Sequence, residues 1–125
     1  MNISASVVRR VLVLFSFIAA VGILSSCEKY TYNPPAVDPN AAWSLQTDIQ
    51  PIFNSNCVGC HNGTRPPDLR AGESFEYLTT RGYVNLPAES SKLYLKIIDP
   101  GHAARSTAAE KLKVLYWITQ GALNN

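Results

Sequence analysis

Two cysteines and a histidine stand within five residues, Cys57-Val58-Gly59-Cys60-His61, and this is where the sequence concentrates its reactive chemistry. Thiols three positions apart fall on one helical turn, so both can meet a single flat partner along one edge. C-x-x-C-H is the spacing at which two thiols add to the two vinyl groups of a porphyrin while the next imidazole ligates the iron. On that reading one haem c is held covalently by Cys57 and Cys60, with His61 as proximal axial ligand. The same residues admit three other chemistries. A C-x-x-C redox pair would want a strand before it and a βαβ framework, and neither is legible here. A zinc site could draw on Cys57, Cys60, His61 and His102, although a histidine directly after Cys60 strains a tetrahedral set. A plain disulfide is the third.

The weight of the motif comes from its surroundings. Arg9 and Arg10 form a short basic region, followed by an uncharged and mostly apolar run over residues 11–24. A transmembrane helix needs roughly 20 apolar residues, whereas the apolar part of a secretory signal takes about 7–15. Leu24-Ser25-Ser26-Cys27 then sets two small residues before a cysteine and resembles the lipobox of bacterial lipoproteins. The expectation is a signal peptide over residues 1–26 and acylation of Cys27. An exported product, lipid-anchored to the bacterial cell envelope on its periplasmic or outer-membrane face, would follow. Cleavage there leaves 99 of the 125 residues and removes Arg9 and Arg10, so that the 11 basic residues fall to 9 against 9 acidic ones. A near-neutral domain gives no reason to expect nucleic acid. Export also assigns Cys27 to lipid and leaves Cys57 and Cys60 as a pair.

The elements that must position the motif are helical. Residues 27–42 read as a lipidated N-terminus and a tether with Pro34, Pro35 and Pro39, and the folded part is expected from Trp43 to Asn125. Ser44, Thr47 or Asp48 could cap a helix that carries Ile49, Ile52 and Phe53 towards Cys57, with Pro51 tolerated in its first turn. Gly63, Pro66 and Pro67 make residues 62–70 a loop. A short helix is expected over residues 72–80 around Phe75 and Leu78. Another should start at Ser90 or Ser91, run through Leu93, Leu95 and Ile98, and stop at Asp99-Pro100-Gly101. Thr107-Ala108-Ala109-Glu110 matches a capping box. Leu112, Leu115, Tyr116 and Thr119 then share one face, widened by Val114, Trp117 and Ile118, and Gly121 can end the helix. No segment alternates like a strand, so the domain is expected to be all-α, with a thin core that a large apolar cofactor would complete.

With these residues in order, the chain resembles the class I cytochrome c family, and in particular small cytochrome c-like lipoproteins of Bacteroidetes type. The resemblance runs from about Trp43 to Asn125. It rests on Ile49-Gln50-Pro51-Ile52-Phe53 before the motif, Pro67-Asp68-Leu69 after it, Ser91-Lys92-Leu93-Tyr94, and Trp117-Ile118-Thr119-Gln120-Gly121-Ala122 with Asn124-Asn125. It implies short helices wrapped around one haem. The first and last would cross, with Phe53 meeting Tyr116 or Trp117 at the contact. It also implies that the Pro67 carbonyl accepts the second ring N–H of His61, which would fix the ring, and that Leu69 stands against the haem. The family usually supplies methionine as the sixth iron ligand, yet Met1 is the chain's single methionine and cleavage would remove it. His102 lies where the family places its distal ligand, and Pro100 and Gly101 can shape a rigid loop before it. No catalytic constellation accompanies the haem, so the expected function is not an enzyme's. It is single-electron transfer between exported or membrane redox proteins. A sensor or small-ligand binder (CO, NO or peroxide) with an open distal site is the alternative, and a haem that is mainly structural in a larger complex is a third.

Overall fold

The computed structural model describes residues 6–10, Asn33 and residues 36–125. The chain divides into two units, Met1–Asn33 and Pro34–Asn125. In the first, residues 6–10 form a helical turn. The apolar run 11–24 and Cys27, which carry the signal and lipid expectations, lie outside the described residues. All further structure concerns the second unit.

Every regular element among the described residues is helical, as expected of an all-α chain. Ser44 opens the first. Its backbone is extended and its Oγ accepts the Thr47 amide at 3.3 Å, while the Asp48 carboxylate accepts the Ser44 amide at 3.1 Å. Of the three candidate caps, Ser44 therefore holds the position. One π-helical turn, Leu45–Ile49, leads directly into α1, Gln50–Asn56. Pro51 accounts for the wide turn. In a regular helix its ring would collide with the carbonyl four residues back, and it has no amide to give. With the Ile49 and Gln50 amides bonded five residues back, to the Ser44 and Leu45 carbonyls, the backbone widens just ahead of the proline.

Helix α2 spans Ser74–Thr80. A 3₁₀ turn, Ala88–Ser90, precedes α3, Lys92–Ile98, which Ser91 caps by accepting the Tyr94 amide at 3.4 Å. The inward face of α3 differs from the expected one. Leu93 is buried and Ile97 half-buried, whereas Leu95 and Ile98 point to solvent. A 3₁₀ turn, Ala103–Arg105, leads on to α4, Ala108–Thr119. Both bonds of its capping box form. The Thr107 hydroxyl takes the Glu110 amide at 3.2 Å and the Glu110 carboxylate takes the Thr107 amide at 2.7 Å. At the other end the Ala122 amide reaches the Trp117 carbonyl and Gly121, at φ +98°, reaches that of Ile118, both at 2.9 Å. This is a Schellman closure, and the positive φ is what Gly121 supplies.

The buried stripe of α4 is Val114, Trp117 and Ile118, so the expected order of the two faces is reversed. Leu112, Leu115 and Tyr116 are half-buried and Thr119 is exposed, its hydroxyl folded back to the Leu115 carbonyl at 2.9 Å. The helix turns to enclose its largest side chain. Trp117 joins Phe53, Leu45, Ile49, Ile52, Leu69, Leu78 and Leu93 in one core, and α4 packs on the π turn that feeds α1. The two ends of the second unit close around that junction. Trp117 Nε1 donates to the Leu123 carbonyl at 3.0 Å, and the Asn125 carbonyl accepts from the Gln46 amide at 3.0 Å and the Ser44 hydroxyl at 2.6 Å. Gln120 holds the residues before Trp43. Its amide group donates to the Ala41 carbonyl at 2.7 Å and its carbonyl accepts the Trp43 amide at 3.0 Å. Pro39 and Ala41, within the segment read as a tether, are thus bonded to Gln120 at the end of α4.

The capping box carries a pH dependence. Burial pushes the Glu110 carboxyl up, but the Thr107 amide and hydroxyl, the Asn56 amide and the Lys113 charge outweigh it and hold the group below its ordinary value. A carboxyl lowered by folding stabilises above its unfolded pKa and loses that contribution as pH falls through the folded value. Glu110→Gln keeps the box's hydrogen-bonding shape, so its stability deficit isolates the charge. That deficit should be about 0.3–1 kcal/mol near neutral pH and should close below the ordinary carboxylate range. Urea midpoints for the two proteins across pH 3 to 7 measure it, and a gap that persists unchanged at the acid end contradicts it.

Candidate functional site

The end of α1 is where the motif is wound. The Cys57 amide bonds to the Phe53 carbonyl at 2.9 Å, and the Cys57 carbonyl then accepts the Cys60 amide at 3.0 Å and the His61 amide at 2.9 Å. Two overlapping turns gather both thiols and the imidazole at one helix end. Cys57 and Cys60 are free thiols, the first half-buried and the second exposed. Burial, and next the Glu110 charge, push the Cys57 thiol up against the opposing pull of Arg105.

A loop returns from His61 to the core and is fixed at its far end. The Leu69 amide donates to the His61 carbonyl at 3.0 Å, and the Leu69 carbonyl accepts Gln50 Nε2 at 2.9 Å. Gln50 is buried and fully used, since its other amide proton reaches Asn54 Oδ1 at 2.8 Å and its oxygen accepts the Ser74 hydroxyl at 2.6 Å. One side chain ties α1, the loop and α2 together. Within the loop, Asp68 grips Arg70 at 2.6 Å, and that hydrogen bond holds the carboxyl below its ordinary value. Gly63, at φ +94°, lies under this pair; a Cβ there would meet Arg70 Nη2 at 2.8 Å and Asp68 Oδ2 at 3.1 Å. Gly63→Ala should therefore displace the pair and cost roughly 1–2 kcal/mol from the left-handed backbone alone. A thermal midpoint equal to the wild type's would contradict that placement.

Cys57, Cys60, His61 and His102 all line one cleft of about 590 Å³. Cofactor and small-molecule sites commonly span roughly 300–1,000 Å³. Pro66, Pro67, Leu93, Ile97 and Tyr83 give it apolar walls, and Arg65, Lys92, Lys96 and Arg105 are the charged residues of its lining. His102 arrives from the turn after α3, and its Nδ1 is buried with no hydrogen-bond partner. A buried ring nitrogen left unpaired costs its desolvation, about 1–3 kcal/mol, unless something in the cleft engages it. Among the described residues, no three His, Cys, Asp or Glu side chains converge tightly enough to hold a bare metal ion. The four donors are instead arranged around a space.

Two residues implied by the resemblance sit differently from expectation. His61 Nδ1 lies 3.2 Å from the Arg65 carbonyl, so the ring is oriented two residues earlier in the loop than Pro67. The reason is local: Asn62 Oδ1 takes the Thr64 hydroxyl at 2.8 Å and its amide at 3.4 Å, and this tight turn folds Arg65 back over the ring. Pro67 keeps a place in the cleft wall. Leu69 does not; it is 3% exposed within the core and supports the loop from behind. Sequence reasoning passed over Gln50 as a buried hub and the four cations of the cleft. The i, i+4 spacing of Lys92 and Lys96 was a usable signal for a shared face, whereas nothing local marks Arg65 or Arg105.

Comparison of the chain with protein-family models, with curated proteins and with solved structures found no match.

Proposed function

We propose that this chain is a mono-haem c-type cytochrome of cytochrome c-like fold, and that it passes single electrons between exported or membrane redox proteins. The observation that carries the reading is the cleft: the two thiols and imidazole of C-x-x-C-H share it with a second histidine, His102, which is half-buried and whose Nδ1 has no hydrogen-bond partner. Each thiol would add its S–H across one vinyl group, sulfur to the carbon next to the ring and hydrogen to the outer carbon, with no oxidant required. The bound haem supplies an iron that changes by one electron. The protein's part is to hold it. Cys57 and Cys60 fix one edge, His61 is oriented by the Arg65 carbonyl, and Leu93 and Ile97 exclude water from the face. His102 would hold the iron as a second imidazole, and the packing of α4 on the π turn before α1 fits a small cytochrome's two-ended closure. No strand and no βαβ framework accompany the two cysteines among the described residues, which disfavours a C-x-x-C redox pair. Leu24-Ser25-Ser26-Cys27 supports export and lipid attachment at Cys27.

Expressed with a haem c maturation system, the protein should retain its haem through acid-acetone extraction and denaturing electrophoresis. Cys57→Ala and Cys60→Ala should each reduce retention and the double variant should abolish it. Freely extracted haem, or stoichiometric zinc in its place, would sink the proposal.

A further inference from the structure

The turn that carries His102 is tied within itself and then tied down from outside. The His102 amide donates to the Asp99 carbonyl at 2.8 Å, its carbonyl accepts the Arg105 amide at 2.8 Å, and the Asp99 carboxylate takes the Gly101 amide at 2.8 Å. These bonds keep the turn's shape, and Asp99 ties its start to α3 through the Leu95 carbonyl at 3.1 Å and Lys96 at 3.6 Å, leaving its far end to be placed. The bond that holds the far end comes from α4. Lys111 Nζ donates to the Ala103 carbonyl at 2.6 Å in a partly buried setting. Ala103 is the residue next to His102, and α4 is itself firmly anchored, with its capping box formed and Trp117 in the core. An ammonium bonded to a backbone carbonyl in such a place is a charge-assisted strut, and its three donors leave it free to choose an acidic partner instead. It is not paired with one among the described residues.

We infer that Lys111 is a positioning residue that fixes the His102 turn against α4 and so keeps the His102 imidazole at the cleft. This rests on His102 being the second axial ligand. Closure of the turn over the iron and rigidity of the turn are then the same quantity. Without the strut the turn's internal bonds open more often and the turn samples positions away from the cleft, so that His102 would leave the iron part of the time. A charge-assisted bond of this kind is worth about a factor of ten or more in such a local equilibrium.

The test uses the haem-loaded protein with Lys111→Met, which keeps the stem and removes the donors, Lys111→Arg, which restores a donor, and His102→Ala. Carbon monoxide association to the ferrous form and ferric spin state report on ligation, and amide hydrogen exchange at His102, Ala103 and Arg105 reports on the turn. Lys111→Met should bind carbon monoxide about tenfold faster, show a high-spin fraction, and exchange the three amides about tenfold faster, with α4 amides unchanged. Lys111→Arg should return all three readings to wild type. A merely structural role would lower the melting point without moving spin state or arginine rescue. If His102→Ala opens the site while Lys111→Met reads as wild type, the strut is overturned and the ligand stands. If His102→Ala itself leaves the spectrum unchanged, the ligand reading fails and takes the strut with it. Should Lys111→Met not accumulate, Lys111→Gln, a shorter donor, must give intermediate exchange rates; wild-type rates overturn the inference.

Discussion

Trp117→Ala should destabilise the domain by about 3–5 kcal/mol, the range for deleting a large buried aromatic. Against a total of roughly 5–15 kcal/mol for a native domain, most of the protein would be near its unfolding threshold. The indole is fully enclosed, with 0% exposure, and its Nε1 bond to Leu123 secures the tail whose last residue, Asn125, closes on Ser44 and Gln46. Truncation therefore opens a cavity at the contact of α4 with the π turn and also frees the tail. Trp117→Phe separates the two effects, since it keeps most of the ring and loses the hydrogen bond; a loss of about 1–2 kcal/mol is expected. Urea denaturation followed by far-ultraviolet circular dichroism gives both numbers. A Trp117→Ala loss below about 1 kcal/mol would mean that the tail and the core do not close together, contrary to the cavity argument.

Much of this arrangement was legible in the sequence, and what was not has physical reasons. The caps at Ser91 and Thr107 and the stop at Gly121 are written in residues whose local hydrogen bonding leaves few options. Helix phase was less readable. α3 and α4 carry apolar residues around more than half their circumference, so period alone leaves two candidate faces. Tertiary fit then selects Leu93 over Leu95 and Trp117 over Thr119. The π turn at Leu45–Ile49 reflects a conflict between Ser44 as cap and Pro51 seven residues on, which a regular helix cannot satisfy. At the site, the motif fixed Cys57, Cys60 and His61 by covalent spacing. The carbonyl that orients His61 depends on how a loop folds, and the Asn62 turn moved it from Pro67 to Arg65. Long-range polar contacts such as Gln50 to Leu69 and Lys111 to Ala103 have no sequence period at all.

On the proposed haem reading, His102 is where sequence and structure press hardest on function, and replacing it should change the iron's spectrum outright. With Met1 the chain's single methionine, a thioether ligand is not offered by the domain, and the imidazole on the cleft is the remaining strong neutral donor in the described residues. The wild type should then be low-spin in both oxidation states, lack the weak near-infrared sulfur-to-iron band, and bind carbon monoxide slowly in the ferrous state. Imidazole favours ferric iron relative to a thioether, so the potential should lie below that of a comparable Met/His site. His102→Ala removes the imidazole and leaves its place at the cleft to water. High-spin ferric character and rapid carbon monoxide binding should follow, with covalent haem retained through Cys57 and Cys60. His102→Met is the more searching variant, because it keeps six-coordination while changing the donor atom. It should restore the low-spin spectrum, bring in the near-infrared band, and raise the potential by roughly 0.1 V or more, within the about 0.8 V that axial ligands span. If His102→Ala is spectrally identical to wild type, His102 is a loop residue, and the open-site reading as a small-ligand sensor replaces electron transfer.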